Sequence, residues 1–237
     1  MRKKESRVKK KAIRSAFLDT VPVMTGYVFL GFGFGILLQQ NGYGVLWSAA
    51  MSLFIYAGSM QYMAISLLSG GAGLLTAALT TLVVNARHLF YGISMVDAYK
   101  GAGKKKPYLI FALTDETYSL VTQAKLPEGM DRTAYCFWVS LFDQCYWIVG
   151  CMLGAVAGYV LPIDFTGVSF VLTALFVTMF VEQWLTHKDH GPALIGVVCT
   201  AVCLAIFGSQ YFLIPSMAAI AGLLILGRKT GRRAENG

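Results

Sequence analysis

Residues 16–38 read AFLDTVPVMTGYVFLGFGFGILL, an apolar run that follows a strongly basic start. A helix that spans a bilayer core of about 30 Å needs roughly 20 predominantly apolar residues, and this run reaches that length. A basic start before an apolar run is also how a secretory leader begins. The run is too long for a leader's hydrophobic region, however, and no small-residue cleavage pattern closes it. It is expected to be a retained first transmembrane helix. Further apolar stretches follow near 44–69, 72–97, 133–161, 165–186, 190–208 and 211–227. The segment 107–125 is shorter and carries Asp115 and Glu116 in mid-stretch, so an interfacial or re-entrant helix that need not cross is expected there.

Composition agrees. Hydrophobic residues make up 56% of the chain and charged residues 14%, against roughly 25% charged in ordinary soluble domains; mean hydropathy is +0.60. The expected fold is an all-α, polytopic integral membrane helix bundle of six or seven spans. A basic tail over 1–15 precedes a single transmembrane domain over 16–228, and a short tail over 229–237 follows. No room is left for a sizeable soluble domain.

The net charge of +8 is distributed like a topology signal and unlike a nucleic-acid surface. Eight basic residues stand in the first fourteen positions; Arg228, Lys229, Arg232 and Arg233 close the chain; Lys100, Lys104, Lys105 and Lys106 form a third cluster. Basic residues gathered at the ends of apolar spans mark the cytoplasmic side, which places both termini of a multi-pass membrane protein in the cytoplasm. The loops near 39–43, 161–166 and 209–211 then fall outside, and none contains Lys or Arg; Lys188 falls inside. Three full crossings before the middle lysine cluster would put it on the wrong side. It returns inside if 44–69 is re-entrant, a pair of half-helices broken around Ala57-Gly58-Ser59. The alternative is that 107–125 crosses and the lysines are an exception.

A break at Gly58 has a physical basis. Glycine lowers the cost of unwinding, and unwound backbone at membrane depth is tolerated only where it is buried or lines a polar cavity. The competing reading is a small-residue packing seam between intact helices. Gly31, Gly33 and Gly35 lack the G-x-G-x-x-G spacing of a phosphate loop and sit among apolar residues, so close helix packing explains them better. Cys136, Cys145, Cys151, Cys199 and Cys203 all lie in apolar segments, are odd in number, and are expected to be free thiols that pack as small hydrophobes. No His or carboxylate accompanies Cys199 and Cys203 on their shared face, so neither a metal nor a cofactor is expected.

Ionisable side chains inside an apolar span cost about 2.5–3.5 kcal/mol each on insertion scales and need a reason. Asn85-Ala86-Arg87-His88 is the densest case, and Arg87 is the one basic residue that no terminal cluster or loop claims. Its planar guanidinium matches a carboxylate in bidentate fashion, and His88 has the chemistry to carry a proton near neutral pH. The competing reading ends the helix early and lets Arg87 reach the cytoplasmic interface. Asp115 and Glu116 are positioned either to pair with Arg87 or bind a coupling ion, or to form a solvated face. Asp143 and Gln144 lie well inside the 133–161 stretch and either line a pathway or make an interhelical hydrogen bond. Glu182 and Gln183 fit an interfacial position. Tyr56, Gln61 and Tyr62 flank the expected break, where an amide is a reasonable lining group.

Three ordered motifs carry a resemblance. Tyr56-Ala57-Gly58-Ser59-Met60-Gln61-Tyr62, then Asn85-Ala86-Arg87-His88-Leu89-Phe90-Tyr91, then Leu113-Thr114-Asp115-Glu116 resemble the AzlC family of branched-chain amino acid permeases, whose patterns read approximately F-A-G-S-A-Q-F, N-x-R-H-x-L-Y-x and x-T-D-E. Tyr56, Met60 and Tyr62 depart from the commoner Phe, Ala and Phe in bulk more than in chemistry. The resemblance spans roughly 15–228. It implies a plasma-membrane exporter of branched-chain amino acids that acts with a small membrane subunit of the AzlD type.

Placed on those motif positions, the physical reading assigns substrate binding to Gly58, Ser59, Gln61, Asn85, Arg87 and Tyr91. Proton or ion coupling falls to His88, Asp115 and Glu116, and pathway lining to Asp143 and Gln144. The substrate carboxylate meets Arg87 or the amides at the Gly58 break, and its ammonium meets Asp115 or Glu116. An enzyme is not expected: Ser59 with His88 is the one plausible nucleophile and base, without a strained glycine elbow, and no H-E-x-x-H pattern occurs. A passive small-solute channel stays open as the rival.

Overall fold

A computed structural model of the chain describes residues 2–127, 129–161 and 190–212, with scattered positions between 170 and 185 and between 215 and 224. The described residues are helical, with no strand among them. In chain order they form α1 (Arg2–Gln40), α2 (Val45–Phe54), α3 (Gly58–Ser69), α4 (Leu74–Val84), α5 (Ala86–Ser94), a 3₁₀ turn (Gly103–Lys105), α6 (Lys106–Phe111), α7 (Asp115–Gln123), α8 (Arg132–Val160) and α9 (Gly191–Tyr211). Among the described residues, three segments, Lys10–Gln40, Arg132–Val160 and Gly191–Gly208, are long and apolar enough to cross a membrane. Large apolar side chains such as Leu46 and Leu74, 86% and 91% exposed, cover the outside, as a helix bundle in lipid requires.

The chain divides into two compact units, Met1–Leu172 and Thr173–Gly237. The second contains α9, which kinks at Gly208 (φ +70°). The expected spans 165–186 and 211–227 lie partly outside the described residues; Glu182, Gln183, Lys188 and the C-terminal basic cluster lie wholly outside them.

The first unit is built on a glycine seam between α1 and α8. Gly31 and Gly35 share one face of α1, and Gly150, Gly154 and Gly158 share one face of α8, each set at the four-residue spacing that stacks side chains on a helix. A methyl on Gly31 would lie 2.9 Å from the backbone nitrogen of Cys151, and one on Gly150 2.8 Å from the Val28 carbonyl. Gly35 and Gly154 come closer still to the facing backbones at Cys151 and Phe32. Only glycine permits that approach, and van der Waals packing at this distance is what joins helices in lipid. Contacts advance together along both helices: Tyr135 donates to Asp19 (2.7 Å), Tyr27 packs edge-on to Trp147 (5.5 Å), and Gly158 reaches Gln39. The two helices therefore run parallel.

Two broken helix pairs enter this frame from opposite ends. α2 starts beside the end of α1, hands Ser48 Oγ to the Cys151 carbonyl (2.9 Å), and reaches the middle of α8, where Gln144 Nε2 donates to the Leu53 carbonyl (3.2 Å). The chain then turns through 55–57, with Tyr56 in the left-handed region at φ +43°, an uncommon place for a non-glycine residue. α3 returns: Gly58 lies against the Trp147 ring, where a methyl would meet Cη2 at 3.1 Å, and Ser69 Oγ donates to Asn41 Oδ1 (2.6 Å) back at the end of α1. The break expected near Gly58 is present, and α2 and α3 form a hairpin that enters and leaves at one end.

The stretch expected as one helix over 72–97 is two, α4 and α5, which meet at Asn85 (φ −92°, ψ 3°). Asparagine competes poorly for helical backbone, and hydropathy does not register that. α5 leads to Met95, Tyr99 and Ala102, which bury against Ala12, Ala16 and Tyr135 at the start of α1 and α8.

The segment 107–125 is also two helices. Lys105 Nζ sits 4.9 Å over the Phe137 ring near the start of α8, and Tyr108 Oη donates to Gln144 Oε1 (2.8 Å). The chain turns at 112–114, and Arg132 donates to the Val121 carbonyl (3.1 Å) as α7 returns to the start of α8. The tips of the two hairpins meet through Tyr56 and Phe111, ring centroids 6.3 Å apart. All five cysteines are free; Cys136, Cys151 and Cys203 are buried, whereas Cys145 is exposed on α8.

Candidate functional site

The breaks matter because each starts a new helix in the interior. Ser59 is in the first turn of α3, Arg87 in the first turn of α5, and Asp115 is the first residue of α7. Free backbone N–H groups and the positive end of the helix dipole gather at each start. Arg87 Nη1 forms an ion pair with Asp115 Oδ2, and Nη2 donates to Ser59 Oγ at 2.8 Å. The Arg87 and Asp115 side chains are 32% and 19% exposed, so the pair lies among helices and is partly exposed.

Three buried atoms in this cluster have no hydrogen-bond partner among the described residues: Asn85 Oδ1, Arg87 Nε and Asp115 Oδ1. An unsatisfied buried polar atom costs about 1–3 kcal/mol. Several in one place describe a site that a polar ligand or water completes. Donors on Arg87 and acceptors on Asn85 and Asp115 together suit a molecule that bears both charges.

Behind the ion pair lies a second polar group. Glu116 Oε2 accepts from Tyr27 Oη (2.7 Å), which is also 2.6 Å from Thr114 Oγ1. Thr114 caps α7 by accepting from the Thr117 N–H (3.3 Å). Thr117 Oγ1 donates to Asp143 Oδ2 (2.7 Å), and Asp143 is fully buried.

The structure joins Ser59, Arg87 and Asp115 directly, with Asn85 and Gly58 in the adjoining turns. His88 is half-buried, its Nδ1 3.3 Å from the Asn85 carbonyl and its ring edge-on to Tyr91 at 6.0 Å. Tyr91 stacks on Tyr118 at 4.8 Å. Gln61 is fully buried and accepts from Trp147 Nε1 (2.8 Å), which ties the α3 hairpin to α8 rather than to Arg87. Gln144 bridges α8 to α2 and α6 through its interhelical hydrogen bonds. Ser59 and His88 share no hydrogen bond, and the Ser59 hydroxyl is held by Arg87. Tyr27 was not singled out in the sequence: a tyrosine in an apolar run reads as packing, and its partners stand 87 and 89 positions away.

A groove of about 740 Å³ within the second unit is lined, among the described residues, by Trp184, His190, Thr200 and apolar residues.

The AzlC protein family profile matches residues 22–161, the stretch that holds both hairpins, the ion pair and Asp143. This chain belongs to the AzlC family. It is 42% identical over 94% of its length to a Bacillus subtilis protein named branched-chain amino acid transport protein AzlC, covering 88% of that protein. An uncharacterized membrane protein of Haemophilus influenzae is 41% identical over 88% of this chain and 86% of its own. The Escherichia coli inner membrane protein YgaZ is 29% identical over 87% of this chain and 84% of its own. No solved structure matches. This AzlC-family chain is thus a helical membrane protein with a paired-charge site at the meeting of three helix starts.

Proposed function

We propose that this AzlC-family protein moves branched-chain or related amino acids across the plasma membrane, as an exporter, together with a small membrane subunit of the AzlD type. The observation that carries the reading is the Arg87–Asp115 pair with Ser59, at the starts of α3, α5 and α7. An amino acid zwitterion is complementary to both partners: its carboxylate takes the guanidinium fork and its ammonium takes Asp115 or Glu116. Half-helix starts at membrane depth serve the same purpose in other transporters. The name of the Bacillus subtilis relative supports the substrate class.

The topology that fits has six crossings: α1, α4 with α5, α8, and the stretches 165–186, 190–208 and 211–227. Hairpins α2–α3 and α6–α7 are re-entrant from opposite faces. The parallel course of α1 and α8 supports it, because the lysine cluster then shares the N-terminal, cytoplasmic side. Alternating access follows as movement of one hairpin against the other around the ion pair. Export against a gradient needs a driving force, and one proton crossing 100 mV supplies about 2.3 kcal/mol; His88, Asp115 and Glu116 are the coupling groups.

Counterflow of labelled leucine, isoleucine, valine and unrelated amino acids in vesicles, with and without a pH gradient, tests this. Saturable exchange that favours the branched chains is expected. Unsaturable flux indifferent to a pH gradient would instead identify a passive channel.

A further inference from the structure

A line of five oxygen-bearing side chains runs from the ion-pair site into the core of the first unit. Glu116 Oε2 lies 2.7 Å from Tyr27 Oη, Tyr27 Oη 2.6 Å from Thr114 Oγ1, Thr114 Oγ1 3.0 Å from Thr117 Oγ1, and Thr117 Oγ1 2.7 Å from Asp143 Oδ2. Asp143 and Thr117 are fully shielded; Tyr27 and Thr114 are nearly so. A surface network exchanges hydrogen bonds with water, whereas a buried one has to balance its own hydrogens.

With both carboxylates ionised the balance fails. Four contacts at hydrogen-bond distance need four hydrogens, and three hydroxyls supply three. If Tyr27 donates to Glu116 while both threonines donate towards Asp143, the 2.6 Å contact between Tyr27 and Thr114 holds no hydrogen and opposes two lone pairs. One further proton on either carboxyl completes the line. On Glu116, it makes Glu116 donate to Tyr27, Tyr27 to Thr114, Thr114 to Thr117 and Thr117 to Asp143. On Asp143, it reverses every donor. The two arrangements interconvert when one hydrogen shifts along each of the four contacts, with no atom gained or lost.

The geometry points to a one-proton relay in which Glu116 and Asp143 share a single proton and the hydroxyls of Tyr27, Thr114 and Thr117 pass it between them. Around Asp143 the titratable neighbours are Tyr27 from α1, Tyr56 from the α2–α3 tip, Tyr108 from α6, Glu116 from α7 and Tyr135 from α8. Around Glu116 they are Tyr27, Tyr56, Tyr91, Asp115, Asp143 and the charged Arg87. The relay thus joins a carboxyl beside the ion pair to one in the core, and the charge state of the ion pair biases where the proton rests. As a coupling route it rests on the transport reading above; as a shared-proton site it does not.

Infrared spectroscopy of the purified full chain at neutral pH tests the shared proton, because only a protonated carboxyl shows the carboxylic C=O stretch. A band worth one carboxyl per protein is expected. It is lost in both Glu116→Gln and Asp143→Asn, whose amides supply the missing hydrogen, and kept in Asp97→Asn, an exposed site. No band in the wild type, or a band unchanged in both relay variants, overturns the shared proton. In proteoliposomes, Thr117→Val is expected to lose at least tenfold of pH-gradient-driven amino acid accumulation while counterflow persists, and Thr117→Ser to restore it. Full gradient-driven accumulation in Thr117→Val, or wild-type transport indifferent to the gradient, overturns the coupling role. Absence of wild-type counterflow sinks the transport reading and the coupling role with it, and leaves the infrared band to decide the proton site.

Discussion

Arg87 and Asp115 are ion-paired although each stands at the start of a different helix, α5 beginning after Asn85 and α7 after Thr114. An isolated charge at membrane depth is expensive. The pair offsets part of that cost and leaves the rest to be met by whatever satisfies Arg87 Nε and Asp115 Oδ1. An ion pair retained only for stability would close its own hydrogen bonds; this one leaves Arg87 Nε and Asp115 Oδ1 buried without a partner among the described residues, while the two side chains stay partly exposed.

Removing one partner exposes the dependence. Asp115→Asn should lower the thermal unfolding midpoint of the detergent-purified protein, by the equivalent of about 1–3 kcal/mol for a partly exposed pair, and reduce leucine counterflow at least tenfold. Arg87→Lys should not restore transport, because an ammonium lacks the planar fork. Wild-type behaviour in Asp115→Asn would show that the pair contributes neither packing nor recognition.

The glycine seam makes a sharper stability prediction. A side chain at Gly154 has no space against the Phe32 backbone, whereas one at Gly26 meets nothing within 4 Å. Gly154→Val should destabilise by about 1–3 kcal/mol or more through overpacking and lower the thermal unfolding midpoint and the monodisperse fraction on size-exclusion chromatography. Gly26→Ala should behave as wild type.

Much of this frame was legible in the chain. Hydropathy located α8, expected over 133–161 and found at Arg132–Val160, because every residue of a span reports on the same solvent. The break near Gly58 was readable from a glycine coinciding with a charge-topology conflict. Arg87 stood out since no cluster claimed it. The breaks at Asn85 and at 112–114 were hidden, because a hydropathy window averages over a single turn of unwound backbone. The bond from Trp147 to the Gln61 amide oxygen was not legible, and Tyr27 looked like packing but bridges Thr114 and Glu116. Both depend on which helices face one another, information that local sequence does not contain.

Side-specific labelling checks the opposed hairpins. In a cysteine-free background, cysteines at Asn41 and Ser69 should react with an impermeant maleimide from the external face, and one at Lys105 from the cytoplasmic face. Ser69 and Asn41 are hydrogen-bonded at 2.6 Å, so labelling from opposite faces would mean that 44–69 crosses fully.

The most direct measurement is leucine counterflow by Arg87→Gln, in vesicles matched for the amount of protein in the membrane. Losing a charge-assisted bond to substrate removes about 1.5–3 kcal/mol, so the rate should fall on the order of tenfold to a hundredfold while the protein stays inserted. An undiminished rate would contradict the assignment of the substrate site to this guanidinium.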